Sequence, residues 1–246
     1  MDGSGTARQL ARAATAARIT DVARRQLAEV GASGLSLRAV AREMGLASSA
    51  LYRYFPHRDA LLTALIIDAY DALGAAGERS YAAAARAGTD PGGQWLQVCR
   101  ACRRWALAHP HEFALVYGSP VPGYAAPADT VGPATRVPRL LARVLRAAAA
   151  VDVLMPPRQP VPKVPLVTAQ VLAIAGPAPP QPFADLIERS LVLWVVLMGA
   201  LSFELFGHLE GVVSHRGAWF DAAMAVAAEG VGLPVPLPAA RRTPVR

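Results

Sequence analysis

An all-α protein is what this chain of 246 residues predicts, a three-helix domain followed by a larger helical one. Three observations carry that reading. Alanine-rich segments set Leu and Val at helical spacing along most of the length, a period of 3.6 rather than 2. No stretch alternates apolar β-branched with polar residues as a half-buried strand would. Hydrophobic residues make up 53% of the chain against 17% charged, which is enough apolar surface for a substantial core.

Residues 13–30 carry Ile19, Val22, Ala23, Leu27 and Val30 on one helical face, and Gly31 supplies a stop. Ser36 offers a side-chain oxygen to cap a second helix through Val40, Ala41 and Met44, which Gly45 ends in a left-handed turn. Ser48 or Ser49 caps a short third helix that continues to Tyr54. Pro56 closes it, and Asp59 opens a long fourth helix through Leu61, Leu62, Leu65 and Ile66. Three short helices with a glycine turn between the second and third form the helix-turn-helix layout, whose last helix enters the DNA major groove. On that helix the hydroxyls of Ser48 and Ser49 and the rings of Tyr52 and Tyr54 reach base edges or phosphates, while Leu51 and Phe55 face the core. Helices that merely packed as a bundle would leave the shortness of the third, and its Arg53, without a purpose.

The net charge of +7 suits a polyanion, although an anionic membrane surface would attract it too. Its distribution is more informative. Residues 1–60 hold nine arginines against five carboxylates. Lys163 is the only lysine, a bias that a GC-rich genome explains as well as selection for phosphate binding. Arg8, Arg12 and Arg18 interrupt any apolar leader, so a cytoplasmic protein is expected. The most apolar stretch, residues 190–203, falls short of the ~20 residues of a membrane span. It reads as a buried helix, with no membrane partner.

The segments containing Gly34-Leu35-Ser36-Leu37-Arg38-Ala39-Val40-Ala41, Gly45-Leu46, Leu51-Tyr52-Arg53-Tyr54-Phe55 and Arg58-Asp59-Ala60-Leu61-Leu62 resemble the DNA-binding domain of the tetracycline-repressor (TetR) family over residues 19–65. The family's "LYYHF" stands here as "LYRYF". The resemblance implies a DNA-contacting set of Ser36, Arg38, Ser48, Ser49, Tyr52, Arg53, Tyr54 and Arg58. Within it, Ser36 would cap the second helix toward the backbone, Arg38 would lie near a base or phosphate, and Arg58 would neutralise a phosphate beside a helix N-terminus. The passage from His109 to Gly118, the Pro/Gly-rich link after it, and Trp194 with Gly199 resemble the WHG-type C-terminal domain, with Met198 where that type has histidine.

The expected organisation is a flexible basic arm over residues 1–12, a DNA-binding domain over 13–60, a ligand-binding and dimerisation domain over 61–233, and a flexible tail over 234–246. A helix is expected over residues 92–108. Prolines at 156, 157, 160, 162, 165, 177, 179, 180 and 182 exclude long helix from 155–182, leaving room for one short helix at 166–175. That stretch is either an ordered lid or a disordered excursion. Helices over 183–209 and 217–231 close the domain; the first, apolar on nearly all faces, turns one face inward and another to a second copy.

No catalytic constellation appears. His109 and His111 point to different faces, His208 and His215 are separated by Gly211, and no phosphate loop or G-x-S-x-G is present. No cofactor or metal is expected. Cys99 and Cys102 lack two further zinc ligands and a βαβ context, and read as core packing, with an oxidation sensor as the alternative. The residues together describe a homodimeric repressor of palindromic double-stranded operator DNA, released by an apolar or amphipathic small molecule. Trp105, Phe113, Tyr117, Trp194, Met198 and His208 are the candidate effector contacts, although the same residues at helical spacing also suit a plain core. The competing reading is a helical ligand-binding or scaffolding protein without operator switching.

Overall fold

The computed structural model describes residues 3–162, 164–176 and 182–237. Among them the secondary structure is helical, without strands. In chain order the helices are α1 (Gly3–Gly34), α2 (Leu37–Glu43), α3 (Ser48–Tyr52), α4 (Arg58–Arg86), α5 (Pro91–Ala108), α6 (Pro110–Tyr117), α7 (Val131–Ala134), α8 (Arg136–Ala150), α9 (Ala169–Ala175), α10 (Leu186–Leu205) and α11 (Arg216–Gly230), with a 3₁₀ turn at Ala128–Thr130. They form two compact units, one of residues up to Ala72 with His109–Ala134, the other of Leu73–Ala108 with the chain from Thr135 onward. The division falls inside α4, so that helix runs from the first unit into the second.

The first unit closes around Ile19, Val22, Leu35, Leu37, Val40, Leu51, Leu61 and Leu65, all buried, with Leu115 and Val116 of α6 packed against them. Arg24 ties three helices together: its guanidinium lies 2.7 Å from Asp21, 3.4 Å from Asp68 of α4 and 3.6 Å from Glu112 of α6. Burial pushes the Asp68 carboxyl above its ordinary value, and the Arg24 charge works against that rise. The expected flexible arm is helical where it is described. α1 starts at Gly3, and its break comes at Gly31, whose φ of 69° and ψ of 175° lie in a region open essentially to glycine alone.

In the second unit, α5 is the central element. The Trp95 indole N–H donates to the Met224 carbonyl at 2.9 Å, and two bidentate pairs hold α5 to its neighbours, Arg100 to Asp221 of α11 and Arg103 to Glu204 of α10. Cys99 and Cys102 are fully buried, and burial raises both thiols, Cys102 to about 12. Both therefore stay protonated and unreactive, which favours core packing over an oxidation sensor. α10 with its 20 residues is longer than the apolar run seen in sequence, and both it and α4 have the length and hydropathy of a membrane span. Yet α10 buries Arg189 and Glu204, each ion-paired within the unit, as a core helix does. The expected free tail from residue 234 is packed at its start: Val235 is buried, and a Cβ on Gly92 would strike the Pro234 carbonyl. Arg241, Arg242 and Arg246 lie outside the described residues, as does Lys163.

Arg136 of α8 reaches Glu78 of α4 through two hydrogen bonds of 3.0 and 2.6 Å, and this pairing holds the Glu78 carboxyl below its ordinary value of 4.5. A carboxyl lowered in the folded state adds stability that is fully present above its unfolded value and is lost as pH falls through the folded one. Acid unfolding of Glu78→Gln should accordingly be flatter below pH 4.5 than that of the parent, followed by helical circular dichroism. An identical acid limb would show that the pair contributes nothing.

Candidate nucleic-acid interface

The turn between α2 and α3 is built by backbone geometry. Gly45 adopts φ 65°, Leu46 N–H donates to the Ala41 carbonyl at 2.9 Å and Gly45 N–H to that of Arg42 at 3.1 Å, a helix end that satisfies the last carbonyls of α2. Leu37, Val40 and Ala41 on α2 and Leu51 on α3 turn inward and are buried. What remains outward on these two helices is polar: Arg38, Arg42, Ser48, Ser49, Tyr52 and, at the end of α3, Arg53 are all exposed. Among the described residues Arg38, Arg42 and Arg53 form no ion pair, so these cations on α2 and at the end of α3 are uncompensated, while Glu43 of α2 pairs with Arg25 at 2.8 Å.

The capping differs from the expected pattern. Ala47 is the N-cap of α3, with Ser48 and Ser49 its first two helical residues. Ser36 does occupy the N-cap of α2, with extended φ and ψ, but its side chain makes no capping bond. α4 begins one residue before Asp59, at Arg58, with the His57 ring nitrogen Nδ1 accepting the Ala60 N–H at 3.1 Å.

Two residues of the expected DNA-contacting set, Arg58 and Tyr54, also have partners within the unit. The Arg58 guanidinium turns into the unit, donating from Nε to the Leu35 carbonyl at 3.2 Å and from Nη2 to that of Ala32 at 2.6 Å. It fastens the turn between α1 and α2. Tyr54 is half-buried against the core, and Arg12 lies over its ring at 5.8 Å while donating to the Arg53 carbonyl at 3.3 Å. Arg12 thus belongs to the site although the sequence placed it in a flexible arm. The available signal was the alanine-rich composition of residues 11–17, strongly helix-forming without an apolar face. Arg58→Ala should cost about 2 kcal/mol of stability by orphaning two carbonyls and leave the salt dependence of DNA binding unchanged. A salt slope lower by one unit with unaltered melting would restore the phosphate role.

The candidate effector residues fall into both units. Phe113 is fully buried in the first, 5.1 Å from the Tyr117 ring, which meets Tyr70 edge-on at 5.8 Å. In the second, Met198 is buried, Trp105 lines a shallow groove with Ala76, Ser80 and Ala101, and Trp194 has its indole N–H buried without a hydrogen-bond partner among the described residues. His208 is exposed beyond the end of α10, edge-on to Phe203 at 5.0 Å. Among the described residues no cluster of three or more His, Cys, Asp or Glu could hold a metal ion.

Comparison with known proteins agrees with this arrangement. Residues 19–65 match the sequence profile of bacterial regulatory proteins of the tetR family, and residues 95–227 that of the tetracyclin repressor-like C-terminal domain. The HTH-type transcriptional regulator Rv1816 of Mycobacterium tuberculosis (strain ATCC 25618 / H37Rv) is 37% identical over 237 residues, covering 87% of this chain and 91% of that protein. Mb1846 of Mycobacterium bovis, also an HTH-type transcriptional regulator, has the same identity and coverage. A crystal structure of the protein SCO4313 superposes with TM-score 0.68 at 31% identity, covering 90% of this chain and 98% of that one. A Rhodococcus sp. RHA1 protein of unknown function gives TM-score 0.66 at 25% identity, with 88% and 95% covered. On the matched profiles, the relatives and the fold, the chain belongs to the TetR family of transcriptional regulators.

Proposed function

We propose that the protein is a cytoplasmic repressor that binds palindromic operator DNA as a homodimer and lets go when an apolar or amphipathic small molecule occupies the helical second unit. The observation that carries the DNA part is the exposed polar face of α3, Ser48, Ser49 and Tyr52, flanked by unpaired arginines and fixed from behind by buried Leu51. Base edges are read by such short hydroxyl and aromatic side chains, and phosphates by the surrounding cations. An exposed apolar stripe supports the dimer: Val192, Val195 and Phe203 along α10, with Trp219 and Val226 along α11. Repeats of three and four residues place each set on one helical face. Two copies joined there would present two α3 helices to half-sites one helical turn apart.

Release requires a path from ligand to head, and α4 is that path because it runs unbroken from Arg58 into the second unit. Selection from a randomised duplex library tests the proposal. Recovery of an inverted repeat bound in a salt-sensitive manner is the expected result. Failure to enrich any duplex would favour a helical ligand-binding or scaffolding protein whose head no longer reads DNA.

A further inference from the structure

The N-terminal half of α1 lies outside the helix-turn-helix and packs on little. Residues 6–14 are exposed, and the first buried side chain described on this helix is Ile19. Leu10 is the one large apolar side chain from residue 3 to residue 18, and it stands 66% exposed. Helices in proteins owe most of their stability to an apolar face packed on a neighbour; this segment has the helix propensity of alanine and no such face. Helical steps of three and four residues place Arg8, Arg12 and Thr15 on the same side of α1 as Ile19 and Ala23, which belong to the core of the first unit. The buried face of α1 thus continues past the core as a row that carries arginines.

That row is seated against the end of α3. Arg12 donates to the carbonyl of Arg53, the residue that ends α3, at 3.3 Å, and its guanidinium lies 5.8 Å from the centre of the Tyr54 ring. Arg8 stands one helical turn further out, about 6 Å along the axis, exposed and without an ion pair among the described residues. Neither strip of chain brings a compensating charge: residues 3–20 and 44–57 together contain four arginines and no aspartate or glutamate. Cations gathered on one edge repel one another in the free protein, and a polyanion laid along that edge relieves the repulsion. A lipid surface would need an apolar face to bury, and Leu10, roughly opposite Arg8 on the helix, is all that this segment offers.

We propose that the first turns of α1 are a second DNA-contacting element, in which Arg8 binds a phosphate beside the bases read by α3 and Arg12 sets its position by holding the end of that helix. The chemistry is a guanidinium on a phosphodiester. Such a contact carries no base information; it adds affinity and fixes the register of the head on the duplex. The inference rests on the operator-binding part of the proposed function and adds to it a strip of chain that the sequence had suggested is a flexible arm.

Fluorescence anisotropy of the full chain on its selected operator duplex tests it. Arg8→Ala, which keeps a strong helix former at that position, should lower the salt slope by about one unit while the selected sequence stays the same. The affinity gap between parent and variant should then narrow by about 3.5-fold from about 50 to 200 mM salt. Arg8→Lys should keep the parental slope. So should Arg79→Ala, which removes one exposed arginine from the part of α4 in the second unit; a slope lowered equally there would reduce the effect to net charge and overturn the contact. Scanning the duplex with single methylphosphonates, each of which neutralises one phosphate, should find a position that weakens the parent and leaves Arg8→Ala unaffected. An operator bound by parent and Arg8→Ala with the same slope and the same methylphosphonate pattern overturns the contact and leaves the proposed function standing, whereas a parent that binds no duplex sinks both. Binding to phosphatidylglycerol vesicles that Arg8→Ala loses, with DNA binding unchanged, would make a membrane the partner and overturn the proposal as well.

Discussion

Val195→Arg should yield a folded monomer whose affinity for a palindromic operator is lower by about 100-fold or more, the loss expected when two linked heads become one. Val195 is 62% exposed on α10, in line with Val192 and Phe203, so an arginine there disturbs no packing within the chain. Opposite its symmetry mate it would bring two like charges into an apolar contact. The neighbouring Leu197→Arg gives the contrasting outcome. Leu197 is 0% exposed and belongs to the unit's own core, where an unpaired charge costs about 3–5 kcal/mol and unfolds the unit. Sedimentation with circular dichroism distinguishes them. A Val195→Arg protein that remained dimeric would move the subunit contact off this stripe.

Exchanging Ser48 and Ser49 for Ala and Asn should change which operator is preferred, each lost or gained base contact being worth about 1–3 kcal/mol. Tyr54→Ala should behave otherwise. Its ring is half-buried against Leu51 and its neighbours and covered by Arg12, so its removal lowers the melting midpoint by several degrees while the selected sequence stays the same. Truncating a partly packed aromatic costs about 2–3 kcal/mol, and each kcal/mol is about 2–4 °C for a chain of this size. Selection of operators by each variant, beside thermal unfolding, checks both. A new preference for Tyr54→Ala with unchanged melting would return that side chain to the DNA surface.

The helix-turn-helix was legible in the sequence because its signals are local. Glycine at 45, inward Val40, Ala41 and Leu51, and proline at 56 each act within one turn of the residue that carries them. Where a side chain's role depended on a distant backbone, sequence was silent. Arg58 beside a helix start reads as a phosphate ligand, and only the approach of Ala32 and Leu35, more than twenty residues away, shows that two of its five donors serve backbone carbonyls. The first turns of α1 have no apolar face, so periodicity cannot find them, and alanine propensity alone was too weak to overrule the expectation of a flexible arm. Nor could spacing assign α6 to the first unit. On α10, apolar all round, sequence could not separate inward Leu193, Leu197 and Leu201 from outward Val192, Val195 and Phe203.

The most direct measurement is a fluorescence-anisotropy titration of a palindromic duplex from the selection, repeated across salt concentrations. Saturation at two chains per duplex is expected, with log affinity falling linearly in log salt at a slope of about −0.9 per phosphate neutralised. Arg38→Ala should lower that slope by about one unit, and Arg58→Ala should leave it alone. Binding indifferent to salt and to palindromic sequence would contradict the assignment of α3 and its surrounding arginines as an operator-reading surface.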